Sequence, residues 1–260
     1  MLKRLVGVIT VKENWAVQSI SFNRYLPLGR PEVIAENFDS WQLDEILVVD
    51  IDRSKRAAGP NFELLKKISA QKIMTPICYM GGIRGVDDAL QLIKSGADRI
   101  AIDSLYRTDL VAACSIADAI GRQAVVRVQP MMYQFDQIHC YDHLARTSSG
   151  KINIDELASS AGSFSELMIV DVLNEGKPNS FAEEILSAFD HQKMQLICFG
   201  GISTKNQVST LLKYENVSAV AIGNSLSYRE IANRSVLVQT ETDVARSTSF
   251  GARTDGAKEW

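Results

Sequence analysis

A single (β/α)8 barrel is the fold this sequence predicts. Three observations predict it: 260 residues of which 46% are apolar and 23% charged, eight short apolar runs separated by amphipathic helical stretches, and a repeat relating the two halves of the chain. The length suffices to bury one large core and falls where one α/β barrel is common. The net charge of −3, with acids and bases interspersed, leaves no broad basic field for nucleic acid or an anionic membrane.

The runs occur, in order, at 5–9, 45–51, 76–79, 99–102, 124–128, 167–172, 195–199 and 219–222. Each is rich in Val, Ile and Leu and lacks polar alternation, as expected of parallel strands covered on both faces. Eight units favour closure into a barrel over an open doubly wound sheet. After the fifth run, residues 131–151 are too long for an ordinary connection and interleave aromatic with polar residues, which predicts a hairpin excursion over the barrel mouth. The barrel is expected to span 1–238. Residues 239–260, rich in Thr, Ser, Gly and charge, read as a poorly structured tail.

The halves echo each other at a spacing of about 120 residues. Asp44-Glu-Ile-Leu-Val-Val-Asp50 returns as Ser165-Glu-Leu-Met-Ile-Val-Asp171, and Ile77-Cys-Tyr-Met-Gly-Gly-Ile83 as Ile197-Cys-Phe-Gly-Gly-Ile202. A two-fold repeated half-barrel of about four βα units accounts for this. Cys78 and Cys198 lie in apolar runs, where a thiol packs as a small hydrophobe. Neither a signal-peptide core nor a window approaching ~20 apolar residues occurs, so a cytoplasmic protein without disulfides is expected.

Gly81-Gly82-Ile-Arg84 and Gly200-Gly201-Ile-Ser203 each follow a strand and precede a helical pattern. Glycine there lets backbone amides approach an anion closely. Each pair would work with the next strand end, Asp103-Ser104 in the first half and Gly223-Asn224-Ser225 in the second. Two anion sites across one mouth suit a small molecule carrying two phosphates. The alternative is that the glycines only make tight turns. His139-Cys140-Tyr-Asp142-His143 contains metal-ligand types, but two aligned histidines do not close a zinc site; no metal or cofactor is expected.

Gly-Gly-Ile-Arg followed by Ser95-Gly-Ala-Asp-Arg99, the half-barrel repeat and the opening Met1-Leu-Lys-Arg4 resemble the cyclase subunit of imidazole glycerol phosphate synthase (HisF) over nearly residues 1–235. The resemblance implies a barrel that receives ammonia from a HisH-like glutaminase docked beneath it. At the mouth, that ammonia cleaves and cyclises a bisphosphorylated ribulosyl intermediate. The family uses two aspartates, at the ends of the first and fifth strands, as acid and base. Thr10 and Gln129 are the matching positions here, and Leu173 stands where a further family aspartate follows the sixth strand. Threonine and glutamine exchange no proton near neutral pH, so neither replaces a carboxylate in general acid–base work.

The opposite face keeps the family's pattern. A ring of four charged residues that gates ammonia corresponds to Arg4, Glu45, Arg99 and Glu166, and Asp98 matches the residue that docks the glutaminase. Stability alone is the competing role for charges at this end. Retained gate and lost aspartates together resemble the HisF-like proteins associated with glycosyl amidation in surface-polysaccharide pathways (the WbuZ type). Their ammonia goes to a separate sugar amidotransferase that forms an acetamidino group. Asp50-Ile-Asp52-Arg-Ser-Lys55 with Pro60-Asn61 is also similar to that branch. A cyclase acting through other groups, and a non-catalytic regulator binding a phosphorylated ligand, are the alternatives.

Overall fold

The computed structural model describes residues 2–154, 157 and 160–227; the expected tail at 239–260 and the end of the expected domain lie outside them. Twelve strands are described: β1 (Arg4–Lys12), β2 (Trp15–Ile20), β3 (Arg24–Gly29), β4 (Glu45–Asp50), β5 (Ile77–Met80), β6 (Arg99–Ile102), β7 (Val125–Gln134), β8 (Gln137–Asp142), β9 (Thr147–Lys151), β10 (Glu166–Asp171), β11 (Leu196–Phe199) and β12 (Val217–Ile222). Eight of them, β1-β4-β5-β6-β7-β10-β11-β12, pair in parallel in that order, and β12 returns to β1. The predicted (β/α)8 TIM barrel is therefore closed, and every strand-like run of the sequence is one of its staves.

Side-chain alternation divides each stave between two cores. Val6 and Val8 of β1, Leu47 and Val49 of β4, Val126 and Val128 of β7, and Met168 and Val170 of β10 fill the lumen. Leu5, Ile9, Ile46, Val48, Leu167 and Ile169 face outward, against the helices. The helices are set by caps and apolar spacing. Asn61 accepts from Leu64 N at 3.2 Å at the start of Phe62–Ser69, and Leu64, Leu65 and Ile68 are its buried side. Thr204 caps Lys205–Lys213, which buries Val208, Leu211 and Leu212. Each such side chain contributes about 1.5–3 kcal/mol by leaving water.

The repeat is visible in the geometry. Antiparallel hairpins follow the first stave of each half, β2–β3 after β1 and β8–β9 after β7. The second is the excursion expected at 131–151, while β2–β3 was not anticipated. Gly81 and Gly200 both adopt positive φ, 137° and 107°. A Cβ on them would meet the carbonyl oxygens of Asp50 and Asp171 at 2.4 and 2.5 Å. Only glycine fits either turn. The four cysteines are unbridged, with Cys78 and Cys198 buried. Among the described residues no helix is long and apolar enough to cross a membrane.

Candidate functional site

Four charges close the N-terminal end of the lumen. Arg4, Glu45, Arg99 and Glu166 open the first, second, fourth and sixth staves on the same face as the lumen valines and leucines, so strand alternation alone aims them at the axis. Arg4 reaches Glu45 at 3.4 Å and Glu166 at 2.5 Å, and Arg99 reaches them at 3.2 and 2.7 Å. Each acid thus lies between both bases. A bulge in β12 at Ser218 turns its hydroxyl to donate to Glu166, and Ser165 Oγ accepts from Arg99 at 2.9 Å. Burial of Glu166 opposes its charge, but Arg4, Arg99 and Ser218 outweigh it and hold the carboxyl below its ordinary range. At Glu45 burial prevails over the same two arginines and pushes the carboxyl up. Asp98 is exposed at this end, with one oxygen receiving Ile77 N at 2.8 Å.

At the C-terminal end a cavity of about 470 Å³ opens above the apolar lumen. Gly81, Gly82, Asp103 and Ser104 line it, beside Lys12, Lys55, Asp50, Asp52 and Ser54. Ser54 Oγ receives the Gly82 amide at 3.0 Å. Asp103 is buried against Arg107; desolvation raises its carboxyl to about 6, with Arg107 pulling the other way. Asp50 is likewise raised to about 6 by desolvation, against a hydrogen bond from Asn61 at 3.2 Å and the nearby Arg53. Phe22, Tyr141, His143 and Phe199 form an aromatic wall, with His143 edge-on to Phe22 at 4.8 Å and to Tyr141 at 5.1 Å. Burial lowers the imidazole to about 4, helped by Arg107.

The second-half residues do not share this cavity. Gly200, Gly201, Gly223, Asn224 and Ser225 are absent from its walls. Asn224 instead bonds Ser19 of β2 through both side-chain atoms. Of the two glycine pairs, the first-half pair alone lines this cavity.

One correction concerns the fifth stave. Thr10 follows Val6 and Val8 on the lumen side and registers with lumen-facing Val49. Gln129 registers with Ile169, and both Ile169 and its near neighbour Met131 belong to the outer core. Pro130, in register with Val170, takes the inward place that Gln129 was expected to hold. One residue of offset in a strand changes the face, and Val6 stands opposite Val126 in the repeat, so Thr10 answers to Pro130. Proline has no exchangeable proton, so neither inward position carries an acid or base.

Sequence reasoning missed Phe22 and Arg146 in the cavity wall and treated His143 only as a ligand type. The wall is assembled from two hairpins whose approach is a tertiary event. Glu175, also missed, is buried at 3% exposure between the loop after β10 and the β2–β3 hairpin. Among the described residues no group of three or more His, Cys, Asp or Glu side chains is placed to hold a metal ion.

Comparison with known proteins agrees with this architecture. The chain is 27% identical over 236 residues to the HisF subunit of imidazole glycerol phosphate synthase from Hyphomonas neptunium, covering 88% of this chain and 92% of that one. It is 26% identical over 238 residues to the Exiguobacterium sp. HisF subunit, covering 88% and 90%. To that of Streptococcus gordonii it is 23% identical over 235 residues, covering 88% and 92%. The family model for histidine biosynthesis proteins matches residues 4–232. With its closed barrel and its HisF relatives, the chain belongs to the histidine biosynthesis protein family.

Proposed function

We propose that this chain is an ammonia-channelling subunit that pairs with a HisH-like glutaminase and supports amidation of a surface-polysaccharide sugar by a separate amidotransferase. The observation that carries it is the contrast within one lumen. A closed ring of two acids and two bases guards the bottom, and Thr10 and Pro130 leave the first and fifth stave ends at the top without a carboxylate.

A charge ring excludes ammonium and water while it stays paired, and the Val, Leu, Met and Ala side chains above it suit passage of neutral ammonia. Asp98, exposed beside the ring, is a docking point for the glutaminase, and Leu2 and Met74, 62% and 87% exposed, supply apolar area near the same end. The phosphate-binding role belongs to Gly81, Gly82, Asp103 and Ser104 around a small molecule in the cavity. No metal or cofactor enters the scheme.

The test is glutamine hydrolysis by a HisH-type glutaminase with and without this chain. Stimulation that Asp98→Ala abolishes is the expected result, and no binding or stimulation overturns the proposal. A second reading, cyclase activity, draws on Asp50, whose carboxyl near 6 lies in the cavity wall and is suited to exchange a proton. Formation of imidazole glycerol phosphate from the ribulosyl bisphosphate intermediate and ammonium would establish it over the first. A ligand that alters glutaminase activity while remaining unchanged itself would instead make the chain a regulator.

A further inference from the structure

The second-half side of the mouth is filled by the chain itself. The tip of the β2–β3 hairpin crosses the opening and docks on the loop after β10: Ser21 N donates to Glu175 O at 2.9 Å, and Phe22 N to the Glu175 carboxylate at 3.0 Å. Ser19 Oγ donates to the same carboxylate oxygen at 3.0 Å. Asn224 receives Ser19 N at 3.2 Å and donates to Ser19 O at 2.5 Å. Gly176, at φ 78°, packs so closely that a Cβ would stand 2.2 Å from Ser19 O and 3.0 Å from Asn224 Nδ2. Ser21 and Phe22 adopt positive φ, 52° and 47°. Such backbone persists in residues other than glycine only where surrounding bonds over-determine it.

We infer that the β2–β3 hairpin and Glu175 form a fixed plug in the second anion site, so that the cavity takes a ligand bearing one phosphate, held from the first-half side. This rests on the phosphate role proposed for Gly81, Gly82 and Ser104. A second phosphate on that side would meet an Asn224 side chain already spent on Ser19 and the buried carboxylate of Glu175, which repels a dianion. In the first half the equivalent space is open, the Asp103 carboxylate there is engaged by Arg107, and Lys12 and Lys55 line the wall. The ligand chemistry of this cavity is thereby narrowed to phosphomonoesters, and the two-phosphate ligand expected from the repeat is disfavoured.

Calorimetric titration of the full chain with glucose 6-phosphate and with glucose 1,6-bisphosphate tests this, with hydrogen exchange followed at Ser21 and Phe22. Affinities within about twofold of each other, with both amides staying protected, are expected. A bisphosphate that binds about tenfold tighter or more, as added charge-assisted hydrogen bonds would bring, overturns the plug, as does loss of protection at Ser21 and Phe22 on its binding. If neither sugar phosphate binds, the phosphate role of the first-half residues falls and the inference with it. Glutaminase stimulation would still stand as a separate measurement.

Discussion

One strand, β10, carries a buried carboxylate at each end, and the two meet opposite fates. Glu166, at the bottom, lies between Arg4 and Arg99 and stays below its ordinary range. Asp171, at the top, is raised by burial, its Oδ2 receiving Asn174 Nδ2 at 2.7 Å and Ala182 N at 2.9 Å. Its Oδ1 is buried with no hydrogen-bond partner among the described residues. At the bottom each acid lies between two arginines and burial prevails only at Glu45, whereas at the top burial prevails at Asp50, Asp103 and Asp171 alike. Charge pairing fixes one end of the barrel, and desolvation poises the other for chemistry.

The largest effect should come from breaking the bottom ring. Glu166→Ala leaves Arg4 and Arg99 short of a partner each and is expected to cost about 3–5 kcal/mol in denaturant unfolding. Replacing Arg99 and Glu166 together by methionine should cost clearly less, because the Arg4–Glu45 pair remains. Equal losses would mean that the ring is packing rather than paired charge. At the top, Gly81→Ala drives a Cβ into Asp50 O at positive φ and should cost about 2–4 kcal/mol. Gly200→Ala should cost the same to within about 1 kcal/mol, since its surroundings repeat. A large inequality would show that one turn has slack the other lacks.

Protonation separates the ends further. His143 is held to about 4 from an ordinary 6.5. Between those values the folded state binds fewer protons than the unfolded one, so its stability is complete above about pH 6.5 and is lost as pH falls toward 4. The loss is up to about 3 kcal/mol, and His143→Phe should remove most of it in unfolding titrations across that window. An unchanged pH profile in that variant would place the histidine in water rather than in the aromatic wall.

Legibility in the sequence followed the range of the interactions. All eight staves were readable because each buries both faces and needs an uninterrupted apolar run, as 45–50 and 166–171 do. The ring was legible through the resemblance to HisF, whose four gate charges match Arg4, Glu45, Arg99 and Glu166, and alternation explains why those strand starts face the lumen. The same resemblance, matched one residue too early, assigned Gln129 to a place that Pro130 holds. Hidden altogether was the asymmetry of the mouth. The glycine pairs repeat faithfully, but Ser19, Phe22 and Glu175 meet only after the chain has closed, and no local pattern announces a contact 153 residues apart in sequence.

The smallest expected effect concerns Asp50, the top-end carboxylate nearest to chemistry. Its folded-state value near 6 stands above the ordinary 3.8. Between them the folded state binds more protons than the unfolded, so stability falls as pH rises from about 4 to 6 and then levels off. Asp50→Asn keeps an oxygen for the Asn61 donor and removes the charge. It should therefore raise stability by about 1–2 kcal/mol above pH 6 and leave it unchanged near pH 4. The opposite sign is expected of Glu166, where the carboxylate is favoured and its neutral form costs stability at low pH. If Asp50→Asn destabilised at pH 7, Arg53 would be pairing with the carboxylate as Arg4 and Arg99 do with Glu166, and the two ends would obey one rule after all.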